Sequence, residues 1–265
     1  MAEPHDLTTP SRPAGRLSVR LARDAADLAN VQRLRWQVFF TEMGAHAAHD
    51  APTPGLDSDA YDALCDHLLV IDEDAAEETR VVGTYRLLRE SVARQAGGFY
   101  SAGEFDLSPL IATADPTREL LELGRSCVLP TYRTSATIQL LWRGIADYIG
   151  QHRIGAMFGC ASFPGTNPDD HAEALSFLAH NHLAPADRRP VVRDGVALER
   201  LPRGSYEDRR ALFQLPPLVK GYLRVGAKFG DGAYIDHAFN TVDVCVLMPV
   251  EMIAGRYAAR FSVAA

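Results

Sequence analysis

Lysine is almost missing from this chain: only Lys220 and Lys228 are present, and histidine aside every other basic side chain is arginine. Positive charge is scarce overall, with a formal net charge of −7. That argues against a nucleic-acid binder, whose affinity comes mainly from neutralised phosphates, although an acidic total still permits a local basic face. Long apolar runs are lacking too. None approaches the roughly 18 residues that a membrane span requires, and the longest, such as residues 242–250, are strand-sized. The N-terminus carries Asp, Pro and Ser where an export signal needs an apolar stretch. The four cysteines, Cys65, Cys127, Cys160 and Cys245, include no CxxC pair. Cysteine-pair metal spacing is therefore absent, and a disulfide framework is not expected; the cysteines read as small buried hydrophobes in a reducing cytosol.

What is present is the composition of an ordinary globular protein: 265 residues, 47% hydrophobic and 23% charged. Residues 1–14, with Pro4, Pro10 and Pro13, read as a flexible leader, and residues 15–265 as a single domain. Residues 16–21 alternate like a half-buried strand, and Asp24 then caps a helix carrying Leu28, Val31, Leu34, Val38 and Phe39 to about Gly44. Residues 67–72 and 80–88 form a hairpin around an acidic turn, and residues 119–128 a strand stopped by Pro130. Residues 134–150 put Ile138, Leu141, Ile145 and Ile149 on one helical face. A buried strand follows at 154–161. Asn167, Pro168, Asp169 and Asp170 then open a helix to about His182. Residues 183–215 resist assignment; 218–228 and 251–261 read as helices and 241–248 as a strand. The order fits one mixed α/β domain.

The stretch richest in chemistry runs from Glu122 to Ala136. A strand ends at Pro130, a Tyr132-Arg133 turn follows, and a helix opens with Thr134 or Ser135 at its cap. Unpaired amides and the helix dipole at such a start favour phosphate, and Arg133 adds a charged contact. Taken alone, the pattern is also that of an ordinary strand-turn-helix. Val128, Pro130, Tyr132 and Arg133 match the V-x-P-x-Y-R turn of the GNAT acyltransferases, which this segment resembles. That resemblance implies a GNAT-like acyl-CoA N-acyltransferase fold (α/β, an α+β mixed sheet), with Val128, Tyr132, Arg133, Thr134 and Ser135 holding the acyl donor. The usual glycines after the arginine are here Thr134, Ser135 and Ala136. A single-phosphate phosphopantetheine on a carrier protein suits this looser cradle better than the pyrophosphate of coenzyme A.

Four further blocks occur in order: Arg35-x-x-Val38-Phe39-Phe40-x-Glu42-x-Gly44, Asp59-x-Tyr61-Asp62-Ala63-Leu64, Gly83-x-Tyr85-Arg86-Leu87-Leu88 and Glu122-Leu123-Gly124-Arg125. They resemble the blocks of acyl-homoserine lactone synthases, with Ala45 in place of a tryptophan and Gly124 in place of a serine. The segment from Leu215 to Gly232, followed by Ile235-Asp236, Phe239 to Thr241 and Asp243 to Cys245, instead resembles the end of the bacterial L-ornithine N-alpha-acyltransferases, the hemolysin-like branch. This resemblance spans about residues 17–248. It implies transfer of a 3-hydroxyacyl chain from acyl carrier protein to the alpha-amine of L-ornithine, giving lyso-ornithine lipid. No permanently bound cofactor and no metal is implied; the phosphopantetheine of acyl carrier protein is the donor group. The implied location is cytoplasmic, with peripheral contact at the inner membrane surface left open.

N-acylation needs a neutral amine and a place for an oxyanion. Glu122 is the first choice of base, with a salt bridge to Arg125 or Arg86 as the competing role. Arg125 completes the catalytic pair, and a backbone amide around Ser126–Val128 is the candidate oxyanion donor. Ser126 and Cys127 have no visible base partner, so direct transfer is expected over a covalent intermediate. His67 reads as structural, and His171, His180 and His182 as helix surface. Arg35, Arg86 and Arg125 are candidates for an amino-acid carboxylate; Asp59 and Asp62 for an ammonium, with Asp236 and Asp243 as weaker ones. Lys220, Arg224 and Lys228, four apart, make one basic stripe if helical. It is either a wet helix face or a docking surface for an acidic carrier protein, a role Arg188, Arg189 and Arg193 could share. The alternatives are a lactone synthase, an acyltransferase for another amino acid, and a non-catalytic carrier- or lipid-binding module.

Overall fold

The structure, a computed structural model, describes residues 16–46 and 53–252. Its elements are β1 (Leu17–Leu21), α1 (Ala25–Arg35), β2 (Asp66–Asp72), β3 (Val81–Arg89), α2 (Glu90–Gln95), β4 (Phe105–Asp106), α3 (Ser108–Ala112), β5 (Glu119–Val128), α4 (Ser135–His152), β6 (Ile154–Pro164), α5 (Ala172–Asn181), β7 (Val191–Val192), α6 (Asp208–Gln214), α7 (Pro217–Arg224), β8 (Lys228–Phe229), β9 (Tyr234–Asp236) and β10 (Thr241–Pro249). The main sheet runs β1-β2-β3-β5-β6-β10-β8, with β9 also on β10. Every neighbouring pair is antiparallel except β5 with β6. That parallel step is the one that needs a crossover, and α4 supplies it.

Helices cover both faces, so β3 is buried from Val81 to Leu88 rather than alternating. On α4 the buried residues are Thr137, Leu141, Gly144, Ile145 and Tyr148. Ile138, expected on this face, is exposed, because the stripe is rotated toward Gly144. There the helix lies so close to the sheet that an added Cβ would stand 2.7 Å from Leu68 Cδ1 and 2.9 Å from Val19 Cγ2.

The parallel pairing of β5 with β6 is short. It joins Glu119–Glu122 to Ile154–Phe158 and then stops. Beyond it β5 stays with β3 as far as Val128, while β6 stays with β10 as far as Pro164. The two strands part around Gly159, where a Cβ would stand 2.1 Å from the Leu123 carbonyl oxygen. A wedge therefore opens in mid-sheet, with Glu122 at its apex.

Four sequence expectations change. The first helix is α-helical only to Arg35 and continues as a π-helical turn, Trp36–Glu42, closed by the Met43 amide on the Val38 carbonyl. The helix expected from Asn167 starts as a 3-10 turn, Pro168–His171, before α5. Residues 183–215 hold β7 and α6. The helix expected over 218–228 ends at Arg224, because Gly226 takes a left-handed φ of 91° and its amide turns back to the Leu223 carbonyl. Lys228 thus lies in β8, and Lys220, Arg224 and Lys228 do not form one helical stripe. The leader at 1–14 and nearly all of the helix expected at 251–261 lie outside the described residues.

Candidate active site

The wedge widens into an open cleft of about 760 Å³ of non-atom space, its mouth and the adjoining solvent included. Phe39 and Met43 enter from the π-helical turn and its end, Arg86 and Leu88 from β3, and Glu122 to Arg125 from β5. Cys160 and Ser162 come from β6, Tyr100, Ser101 and Glu104 from the 3-10 turn at Tyr100–Gly103 and its end, and Asp236, Phe239, Thr241 and Asp243 from β9 to β10. π-helical turns are rare and favour functional sites; this one brings Phe39 and Phe40 against Phe239.

One wall is a lattice of three arginines and three aspartates. Arg35 is fully buried, its Nε 2.7 Å from Asp57 Oδ2 and its Nη atoms 2.9 and 2.8 Å from the two Asp62 oxygens. Gln32 also donates to Asp62. Arg86 donates to both oxygens of Asp59 at 2.6 and 2.7 Å and to Asp62 at 3.0 Å. Arg125 stands 3.2 Å from Asp57 and 3.1 Å from Asp59. Burial works against the Asp62 charge, yet the Arg35 fork prevails and holds its carboxyl below the usual range. The lattice brings together all five residues Arg35, Asp59, Asp62, Arg86 and Arg125, but pairs them with one another. Arg35 and Asp62 do not line the cleft; Arg86 and Arg125 do. Arg125 takes a left-handed φ of 49° and stacks between Tyr100 and Phe239, its guanidinium carbon 4.9 and 4.4 Å from the ring centroids. A non-glycine residue in that region is strained, and such strain gathers at functional sites.

Glu122 forms no ion pair with Arg86 or Arg125 within 4.0 Å. Its carboxylate instead accepts from the Tyr100 amide at 2.8 Å, the Ser101 amide at 2.6 Å and the Ser101 hydroxyl. Burial pushes its pKa up, while the Ser101 and Tyr100 donors pull it back. Those three bonds leave one of the roughly four carboxylate lone-pair positions unused.

Opposite lies a second acidic group. One carboxylate oxygen each from Glu104, Asp236 and Asp243 lie within 4.8 Å of one another. Burial and the nearby Asp243 push Glu104 up to about 7. Burial pushes Asp243 up to about 6, and its Oδ1 is buried without a hydrogen-bond partner. Cys160 Sγ lies 3.1 Å from a Glu104 carboxylate oxygen and 3.4 Å from Ser101 Oγ, and its single proton can be donated to either. A short relay of side chains thus links Glu104 to Glu122. Sequence reasoning gave Asp236 and Asp243 a minor place and did not single out Glu104. No local motif marks it; only the β6–β10 pairing and the 3-10 turn bring these residues together.

The donor-side turn is built as its sequence suggests. Thr134 caps α4, accepting from the Thr137 amide at 3.3 Å, so the first-turn amides at Ser135 and Ala136 face outward. The Tyr132 hydroxyl donates to Asp72 at 2.6 Å. Arg133 Nε donates to the Val128 carbonyl at 3.0 Å, and its Nη atoms grip Glu42 at 2.6 and 2.7 Å. Cys127 is buried with its thiol pushed up to about 12, which removes it as a nucleophile at neutral pH. His67 is buried with Nε2 3.0 Å from the Asp62 carbonyl. His171 meets the Pro164 carbonyl, His180 meets Tyr206 and Glu199, and His182 packs on Phe177. On α7 Lys220 donates to the Phe213 carbonyl at 2.5 Å and sits over its ring.

An acetyltransferase (GNAT) domain model matches residues 34–143. The chain is 49% identical to an L-ornithine N(alpha)-acyltransferase of Agrobacterium fabrum, over 92% of this chain and 84% of that protein. The Brucella abortus and Rhodobacter capsulatus proteins of the same name are 48% and 42% identical over 92% and 90% of this chain, and 88% and 92% of theirs. The chain belongs to the L-ornithine N(alpha)-acyltransferase family. The acyl-homoserine lactone synthase LasI shares the fold at a TM-score of 0.53 with 15% identity, covering 94% of this chain and 96% of its own. FeeM, an N-acyl amino acid synthase from uncultured soil microbes, does so at 0.50 with 10% identity, covering 91% and 94%. In this acyltransferase the wedge between β5 and β6 is the candidate place of acyl transfer. No helix among the described residues is long and apolar enough to cross a membrane.

Proposed function

We propose that the chain transfers a 3-hydroxyacyl group from acyl carrier protein to the alpha-amine of L-ornithine, releasing lyso-ornithine lipid. The observation that carries the acceptor is the 42–49% identity, over nine-tenths of the chain, to proteins of that name. The cleft supports it chemically. Two guanidinium groups and four carboxylates line it, a balance that suits an acceptor with one anionic and two cationic groups.

The donor thioester enters the wedge along β5, its phosphate at the α4 N-terminus beside Thr134, Ser135 and Arg133, with Val128 and Tyr132 shaping the turn. Arg133 is held by an exposed pair with Glu42, and such pairs are worth only about 0–1 kcal/mol, so exchanging Glu42 for a phosphate costs little. The acceptor carboxylate meets Arg125 and Arg86. Glu122 takes a proton from the alpha-ammonium, directly or through water, and burial raises its basicity for that task. The nitrogen lone pair then forms the new N–C bond. The oxyanion is met by an amide of β5 around Ser126–Val128, on the edge β6 no longer pairs. Collapse breaks the C–S bond, and the phosphopantetheine thiolate leaves and takes up the second proton, which the nitrogen sheds as the amide forms. Lys220 and Arg224 on α7 are assigned to carrier docking, with Lys228 apart on β8.

The test supplies purified protein with 3-hydroxyacyl carrier protein and, in separate reactions, ornithine, lysine, glutamine, glycine or S-adenosylmethionine, with products identified by mass. Acylated ornithine is expected. Its absence, or a lactone from S-adenosylmethionine, overturns the reading.

A further inference from the structure

We propose that Glu104, Asp236 and Asp243 form a subsite for the distal, side-chain ammonium of the acceptor, and so select a diamino acid over a neutral one. The identity of the acceptor rests on the ornithine reading above; the charge of the group bound here rests on the cleft itself.

Three observations converge. The first is stoichiometric: one oxygen from each of three carboxylates lies within 4.8 Å of the others. An ammonium has three N–H donors, and acceptors arranged around it at about 2.9 Å are spaced within that limit. The second is an unmet need. Asp243 is 5% exposed, lines the cleft, and has an Oδ1 with no hydrogen-bond partner. A buried unsatisfied carboxylate oxygen is costly, and here a ligand donor would satisfy it. Among the described residues none of the three acids has a basic side chain within ion-pair distance, whereas each acid of the arginine lattice does. The protein answers one acidic group from within and leaves the other to its ligand.

The third observation is placement. Glu104 reaches Glu122 through Cys160 and Ser101. Arg125 and Arg86 line the same cleft. One small amino acid can therefore present its carboxylate to the arginines, its alpha-amine to Glu122 and its far ammonium to the acidic trio. Asp236 is oriented for this by its own loop: its Oδ1 accepts from the Ala238 and Phe239 amides, at 2.8 and 2.9 Å. The burial that raises Glu104 and Asp243 is the cost of holding carboxylates ready for a cation, and a bound ammonium lowers it.

The experiment compares ornithine with norvaline, which keeps the carbon chain and lacks the distal amine. The wild-type protein and Asp243→Asn are assayed with both, and 1,4-diaminobutane is titrated into each protein by calorimetry. Asp243→Asn should lower kcat/KM for ornithine at least tenfold more than for norvaline, through KM, and weaken diamine binding at least tenfold. Equal losses for both acceptors, or no loss with ornithine, overturn the subsite. Asp236→Asn, at a half-buried position, gives the same readout if Asp243→Asn folds poorly. Diamine binding without ornithine acylation sinks the ornithine reading alone; no diamine binding to the wild type sinks the subsite. Magnesium and manganese are titrated in parallel, and a one-to-one divalent ion that displaces the diamine would replace the subsite with a metal centre.

Discussion

Replacing Arg35 with methionine tests whether the arginine–aspartate lattice is held together from within. Arg35 is 0% exposed and makes four hydrogen bonds, to a carboxylate oxygen and the backbone carbonyl of Asp57 and to both carboxylate oxygens of Asp62. Methionine fills much of the volume but leaves Asp57 and Asp62 without their shared cation. Removing one partner of a buried pair costs about 3–5 kcal/mol. The remaining contacts of Asp62 with Gln32 and Arg86, and of Asp57 with Arg125, keep the loss from exceeding that range. For a domain of this size the melting temperature should fall by about 6–20 °C. The loss should also depend on pH in a fixed direction. Asp62 is held below the usual carboxylate range in the fold, so its contribution is present above about pH 4 and fades as pH falls below it. Wild type and variant should therefore differ most near pH 7 and converge in acid. Thermal melts from pH 3 to 8, with Asp62→Asn and the double variant, complete the cycle, and the two changes should couple by about 1–3 kcal/mol. A shift under 3 °C at pH 7, or strict additivity, refutes the reasoning.

Glu122→Gln should lower kcat by about 10²–10⁴-fold, the usual worth of a positioned base, and also cost about 1–3 kcal/mol of stability, because an NH₂ group must face one of the Tyr100 or Ser101 donors; turnover within threefold of wild type would remove Glu122 as the base. Glu104→Gln should stabilise the unliganded protein by about 1–3 kcal/mol at pH 8 and not at pH 4. The fold holds Glu104 near 7, above the ordinary glutamate range, so its charge costs stability only once the pH rises through that interval; a stabilisation that is the same at both pH values would contradict this. Gly159→Ala forces a Cβ to 2.1 Å from the Leu123 carbonyl, and should close or distort the wedge, seen as a loss of soluble folded protein or a fall of more than about 3 kcal/mol by denaturant titration; a wild-type melting curve would show that the strands can part elsewhere.

Much of the fold could be read locally. The β5 strand, the Pro130 turn and the Thr134 cap are written in adjacent residues, and each has its mechanism within a few positions of the chain. The π-helical turn after Arg35 was hidden, because its apolar residues have the same spacing as a continued α-helix. The basic stripe was misplaced for want of one signal, Gly226, whose left-handed backbone ends α7 before Lys228. At the site, Arg35, Asp59, Asp62, Arg86 and Arg125 were legible as a group, but not their pairing with one another, since the partners lie 24 to 66 residues apart. Glu104 was illegible for a related reason. It sits beside a two-residue strand, and only the register that sets Asp243 opposite Ser162 brings the acids together.

The two acidic groups of this cleft follow opposite electrostatic designs, and the contrast separates scaffold from site. Asp57, Asp59 and Asp62 face Arg35, Arg86 and Arg125 in equal number, and the Arg35 fork holds Asp62 below the usual carboxylate range. That lattice is complete without a ligand and fixes the two arginines that reach the cleft. Among the described residues Glu104 and Asp243 face each other and Asp236 with no basic side chain in ion-pair contact, and burial moves both up. A fold gains nothing by keeping such a group unless something else supplies the missing charge. Stability alone would favour replacing these acids with neutral residues, so the strain of keeping them is best accounted for by a cationic acceptor that arrives, is held by both ends and leaves acylated.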